Sequence, residues 1–284
     1  MEVNCEGCAG CCLDWRPVAE DPPDHERRGP RQPIDDAYNL VPLTRDDVRA
    51  FIDEGLADAL RPRLWTDPDG VTIGGHDLAA IDGKPAFFVG LRAAAKPVTP
   101  FGIEPTWLPA CVFLDPTTLQ CRIHGEEVYP EECADYPGHN LELGAETECE
   151  RVETEFGGER LVEGDVPVDL GSPLLGPQAI GYTLFVHPRP DTLGPVIDRL
   201  LADELTQADR AEFAAAAVAG SPGTTEVNPT AYEDAVDRAT AADSWAGRSV
   251  DAWADLDRDH PADPSLTTEI EEATGAPPTP GWEP

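Results

Sequence analysis

The chain is nearly devoid of lysine, with Lys84 and Lys96 its only two among 284 residues, and it contains a single methionine. Aromatic residues make up 7% of the composition, enough for a core but not for one dominated by large rings. Basic residues of either kind number 20 against 55 acids, a formal net charge of -35. So little positive charge excludes the electrostatic footprint of a nucleic-acid binder and makes an anionic membrane surface a poor partner. Long apolar runs are missing too. The most apolar stretch, around Phe213 to Ala219, falls far short of the roughly 18 residues a membrane span requires. No basic segment followed by an apolar one opens the sequence, so no secretory signal is read there, and a soluble, cytoplasmic protein is expected. Nucleophile elbow, phosphate-binding loop, dinucleotide fingerprint and HExxH sequence are all absent.

What is present begins with acid spread along the whole length rather than gathered in a tail. At about 1 M salt the Debye length is about 3 Å, so self-repulsion that would strain a protein in dilute buffer is screened almost within contact distance. The charge therefore reports a saline, halophilic habitat more than a function. Patterned apolar segments through the first two thirds oppose the reading of an acidic disordered chain.

The pattern predicts an α+β protein. A Pro-, Asp- and Arg-rich connector runs to residue 43. Thr44 then reads as an N-cap, and Val48, Phe51, Ile52, Leu56 and Leu60 fall on one helical face before Pro62. Short strands are expected at Val71 to Gly75 and Lys84 to Arg92, and a strand pair at Cys111 to Leu114 and Gln120 to Ile123. Extended pieces are expected at Cys149 to Phe156 and Arg160 to Val162. After residue 190 the spacing becomes helical through Ala219, with one more helix over about 229–253 and then a Pro-, Asp- and Thr-rich terminus expected to fray. The resulting division is a cysteine-rich domain at 1–165, a linker and helical extension at 166–222, and an acidic helical segment at 223–284. The helical region reads as a packing appendage, or as an apolar face for a partner.

Eight cysteines stand at 5, 8, 11, 12, 111, 121, 133 and 149. In a reducing compartment such density points to metal rather than to disulfides. Thiolate is a soft ligand suited to zinc, copper(I) or iron-sulfur clusters, and a two-residue gap lets successive sulfurs turn toward one ion. Cys5-x2-Cys8-x2-Cys11-Cys12 is thus a strong metal signal. Consecutive side chains diverge, so Cys11 and Cys12 do not both sit comfortably on one tetrahedral ion; one faces a second metal or the core.

The second group runs Cys111-Val-Phe-Leu, Cys121-Arg-Ile-His124, and Tyr129-Pro-Glu-Glu-Cys133-Ala-Asp-Tyr-Pro137. Together with the first it resembles the YkgJ-type cysteine-cluster family, a zinc- or iron-chelating domain known by its CxxCxxCC signature. The resemblance covers roughly the first 150 residues. His124 stands where that family usually has Tyr, and Tyr129 and Ala134 where it has Arg, so two guanidinium groups that could steady a thiolate-rich site are missing. The resemblance implies a metal-chelating module, small and stapled by its metal. Because some flagellin-lysine methylating enzymes contain a related cluster, an iron-sulfur-dependent enzyme, oxidoreductase or methyl-transferring, is the alternative.

The ligand candidates are accordingly Cys5, Cys8, Cys11, Cys12, Cys111, Cys121 and Cys133. Cys149 reads either as an eighth ligand or as a small buried apolar residue. His124 reads as a packed or surface histidine rather than a ligand, His139 is weaker still, and the Glu126-Glu127 and Glu131-Glu132 pairs read as solvated acids. Zinc, which would staple the N-terminus to the later cysteines, is placed ahead of iron, with a [4Fe-4S] cluster close behind. No catalytic residue is assigned.

Overall fold

The structure is a computed structural model that describes residues 2–22, 31–38, 41–162, 176–256 and 258–280. It is α+β, with antiparallel sheets and several helices. Parts of the proline-rich connector and of the linker expected from residue 166 lie outside the described residues. Among those described, no helix is long and apolar enough to cross a membrane.

The chain divides into two compact units, each drawn from separated stretches. One comprises Met1–Asp24, Arg92–Pro173 and Trp245–Pro284; the other comprises His25–Leu91 and Leu174–Ser244. The second is built on the long strand Leu60–Ile73, which pairs antiparallel with Lys84–Leu91 from Leu60 opposite Leu91 to Leu64 opposite Phe87. Phe185–Val186 and Gln32–Pro33 extend this sheet on its two sides. The helix at Arg45–Asp53 opens on a capping box between Thr44 and Asp47, as the sequence predicts. It stops earlier than its apolar spacing implies. Gly55, at φ 72°, lets the Leu56 N–H reach back to the Phe51 carbonyl and the Gly55 N–H to that of Ile52, a Schellman ending. Leu56 and Leu60 are buried all the same, Leu60 from the strand that follows.

The helices Gly194–Leu201, Gln207–Ala219 and Pro229–Thr240 complete this unit. In Gln207–Ala219 the apolar positions are buried nearly all round, and Phe213 meets Phe87 edge to face at 4.9 Å between centroids. Such a helix belongs to the middle of a core, so the alanine-rich run is an internal element here. The single helix expected over about 229–253 is two, Pro229–Thr240 and Trp245–Asp255.

The cysteine-bearing unit rests on a regular hairpin, Ala93–Val98 paired with Thr106–Cys111. Glu2–Val3 pairs with Leu161–Val162, tying the N-terminus down. The expected strand pair after Cys111 is only a bridge between Leu114 and Cys121. Cys149 to Phe156 is not extended but helical: Thr147 and Glu150 form a capping box at the head of helix Glu148–Phe156, whose buried face carries Cys149 and Val152. Residues 258–280, where composition predicts fraying, are tied down by side chains. Trp107 donates to the His260 carbonyl, Arg122 to that of Pro277, and Thr279 to Asp115.

Candidate functional site

All eight cysteines fall in the same unit, although the first four are separated from the rest by about a hundred residues or more. Cys5 and Cys8 flank a tight turn in which the Cys8 N–H donates to the Cys5 carbonyl at 3.1 Å. Gly10 follows, and its N–H points at the Cys8 sulfur at 3.4 Å. A Cβ added at Gly10 would stand 2.8 Å from Val152 Cγ2, so the lack of a side chain is what lets this segment lie on helix Glu148–Phe156. Trp15 fixes the other end of the segment. Its indole donates to Glu148 at 3.1 Å, and its ring meets Phe101 and Phe156 edge to face.

Beyond Cys12 the chain joins the hairpin: Leu13 bridges Ala110, and the Asp14 N–H donates to the Pro109 carbonyl. Cys12 and Cys111 therefore pack against one cluster of Leu13, Val98, Leu108, Ala110 and Leu114. Cys121 joins them across its bridge to Leu114. Tyr129 donates to the Cys133 carbonyl at 3.2 Å and lies near His124, ring to ring at 5.0 Å. His124 is thus a packed histidine, and His139 sits 3.2 Å from Glu132.

Burial and neighbouring thiols together set the acidity of these cysteines. Burial first, then the charges of Cys11 and Cys8, push the Cys5 thiol up to about 12. Burial followed by Cys111 and Cys11 does the same to Cys121, and burial followed by Cys11, Cys8 and Cys5 to Cys149, each to about 12. Cys11 moves the other way. The hydrogen bond between the Cys11 and Cys12 sulfurs, 3.9 Å apart, lowers Cys11 and raises Cys12. Tyr129 and Tyr136 are held protonated, mainly by burial and in part by the thiols around them. Among the described residues no three Cys, His, Asp or Glu side chains stand close enough to hold an ion together. The sulfurs are neighbours without forming a closed shell.

Two cations reach this cluster. Arg160, over the Phe101 ring at 5.7 Å, carries a charge that works against the burial raising Cys8. The Lys96 charge partly offsets the burial that raises Cys111 and Cys121. Its ammonium is fully buried, donating to the carbonyls of Val112 and Leu114 and paired with Glu271 at 2.6 Å. Arg122 completes the network through Glu271 and Asp115. Sequence reasoning singles out none of Lys96, Arg160, Glu271 or Gly10. Lys96 does carry a signal, being one of two lysines and set in the apolar stretch Ala-Ala-Ala-Lys-Pro-Val.

A family of unknown function, DUF7531, matches residues 1–283. No curated protein and no solved structure matches the chain.

Proposed function

The chain belongs to the DUF7531 family, and we propose that it is a metal-binding protein that chelates zinc or iron through its cysteines in the cytoplasm. The observation that carries this reading is that cysteines from three separate parts of the sequence lie in one compact unit, with the Cys5–Cys8 turn set against the helix of Cys149 and with Cys12, Cys111 and Cys121 at one hairpin cluster. Raised as they are, most of these thiols stay protonated and neutral near pH 7, and a bound metal would displace their protons and reverse the upward shifts. The likeness to the YkgJ-type signature supports the same chemistry. Arg160 and Lys96 supply positive charge that the residues at 129 and 134 do not, which suits an anionic thiolate-metal centre.

The donor set fits a thiophilic cation. Zinc is placed ahead of iron because thiolates enclosed by buried side chains serve readily as a structural staple. The test is elemental analysis and a visible spectrum on protein purified anaerobically in high salt. Zinc without colour, falling in Cys5→Ser and Cys133→Ser variants, is the expected result. Iron with acid-labile sulfide and broad visible absorption would replace zinc by a cluster. Metal-free protein with eight titratable thiols would overturn the reading.

A further inference from the structure

We infer that Cys11 and Cys12 form a redox pair that closes reversibly into a vicinal disulfide when the protein meets a small-molecule disulfide. Consecutive side chains ordinarily point apart along a chain. Here the two sulfurs turn toward one another and lie 3.9 Å apart. The inference goes beyond the chelation reading and stands without it, since two thiols and one oxidant are all it requires.

The backbone sets this approach. Ala9 is held in the left-handed region, at φ 52° and ψ 17°, a conformation that a residue with a Cβ seldom adopts. It turns the chain into the short helical turn Gly10–Cys12, closed by the Cys12 N–H on the Ala9 carbonyl at 2.8 Å. Both ends of that turn are fixed, Gly10 against Val152 and Leu13 by its bridge to Ala110. Of the eight cysteines only Cys11 is exposed, while Cys12 is half-buried against the hairpin cluster. An accessible thiol with a second one at its side is the arrangement by which a sensor cysteine first meets an oxidant and is then resolved. Cys12 needs no exposure, because its attack is internal.

The chemistry balances with a small-molecule disulfide as oxidant. The Cys11 thiolate attacks one of its sulfurs, that S–S bond breaks, and one small thiol leaves with the proton Cys11 gave up. The Cys12 thiolate then attacks the Cys11 sulfur, the vicinal S–S bond forms, and the second small thiol leaves with the Cys12 proton. Two electrons pass from the cysteines to the small disulfide. A disulfide across one peptide link joins Cα atoms about 3.8 Å apart, below the range of about 4.4–6.8 Å that disulfides usually span. Strain of this kind makes the bond easily reduced, which suits a switch rather than a staple.

The test treats full-length protein, stripped of metal by a chelator in high salt, with oxidised glutathione. Free thiols are alkylated with one reagent, disulfides are reduced, and the released thiols are alkylated with a second before peptide mapping. The protein should lose two hydrogens in mass and carry the second label at Cys11 and Cys12 alone, and a thiol reductant should restore both. In denaturing urea the selectivity should vanish, since it comes from the fold. Cys12→Ser should stop at a glutathione adduct on Cys11, whereas Cys11→Ser should leave Cys12 unmodified. The arm on unaltered protein decides the matter even where a variant unfolds. Cys11 or Cys12 joined to a different cysteine, a second label scattered over the eight, a glutathione adduct that persists on Cys11, or no modification at all overturns the pair. Each of those outcomes leaves chelation standing. Unaltered protein that neither holds metal as isolated nor takes up zinc overturns chelation and leaves the pair untouched.

Discussion

The Lys96 ammonium and the Glu271 carboxylate meet at 2.6 Å with neither side chain exposed to solvent. Glu271 also accepts from Arg122 at 2.8 Å and from the Trp253 indole at 3.0 Å, so one carboxylate answers two buried cations and an indole. Removing it strands charge in the interior, which typically costs about 3–5 kcal/mol. Glu271→Gln should lower unfolding stability by that order in urea at fixed high salt. Lys96→Met should cost less, since Glu271 keeps Arg122. Equal losses in the two variants would show that Arg122 does not share the load.

Gly10 offers a steric test. Its missing Cβ is the clearance between the cysteine turn and Val152. Gly10→Ala should destabilise the unit by about 1–3 kcal/mol through overpacking. A second change, Val152→Ala, should return part of that loss by making room, and a double-mutant cycle would measure the coupling.

His187 gives the protein an acid-sensitive point in the other unit. It is fully buried beside Phe87 and Phe213, its Nδ1 accepts from the Arg189 N–H, and its Nε2 lies 3.8 Å from Glu212. Burial pushes its pKa down to about 4, and the Arg189 charge adds to this. The unfolded chain takes up a proton near pH 6.5 while the native state refuses it until about 4. The contribution is thus complete above about 6.5 and is lost as pH falls between those values, up to about 3 kcal/mol. Urea unfolding from about pH 7 to about pH 4 should show the slope, and His187→Phe should flatten it. An unchanged slope in the variant would assign the acid sensitivity to other groups.

Net charge predicts the response to salt. With -35 charges on 284 residues, raising ionic strength from about 0.1 to about 1 M shortens the Debye length from about 10 to about 3 Å and relieves self-repulsion. Thermal unfolding temperature should climb through that range, and sodium and potassium chloride should act alike because the effect is screening. A flat or falling profile would remove the habitat reading.

Spacing in the sequence tells of elements governed by their own residues. The capping box at Thr44, the sheet partner at Lys84–Leu91 and the helices after residue 190 are all legible. Cys149 to Phe156 reads as extended because Cys, Val and Phe favour strands. The Thr147–Glu150 capping box, together with the three-residue step from Cys149 to Val152, decides for helix. The membership of the cysteine site is legible as residue types but not as positions. Nothing local in the sequence ties Gly10 to Val152, or Lys96 to Glu271, because those contacts join residues more than about a hundred positions apart. The C-terminal stretch misleads for the same reason. Its prolines and acids look unstructured alone, and its order comes from Trp107, Arg122 and Asp115 far upstream.

The order of synthesis gives the interleaved layout a further meaning. The cysteine-bearing unit gathers stretches that are made early, midway and late. Cys12 leaves the ribosome about 260 residues before Glu271, which at about 5–20 residues per second is on the order of ten to fifty seconds. For about the first half of that interval the first four thiols are chemically mature but lack Cys149, and through all of it they lack the Lys96–Glu271 pair. The thiols of the nascent chain are therefore most open to oxidation before Glu271 emerges.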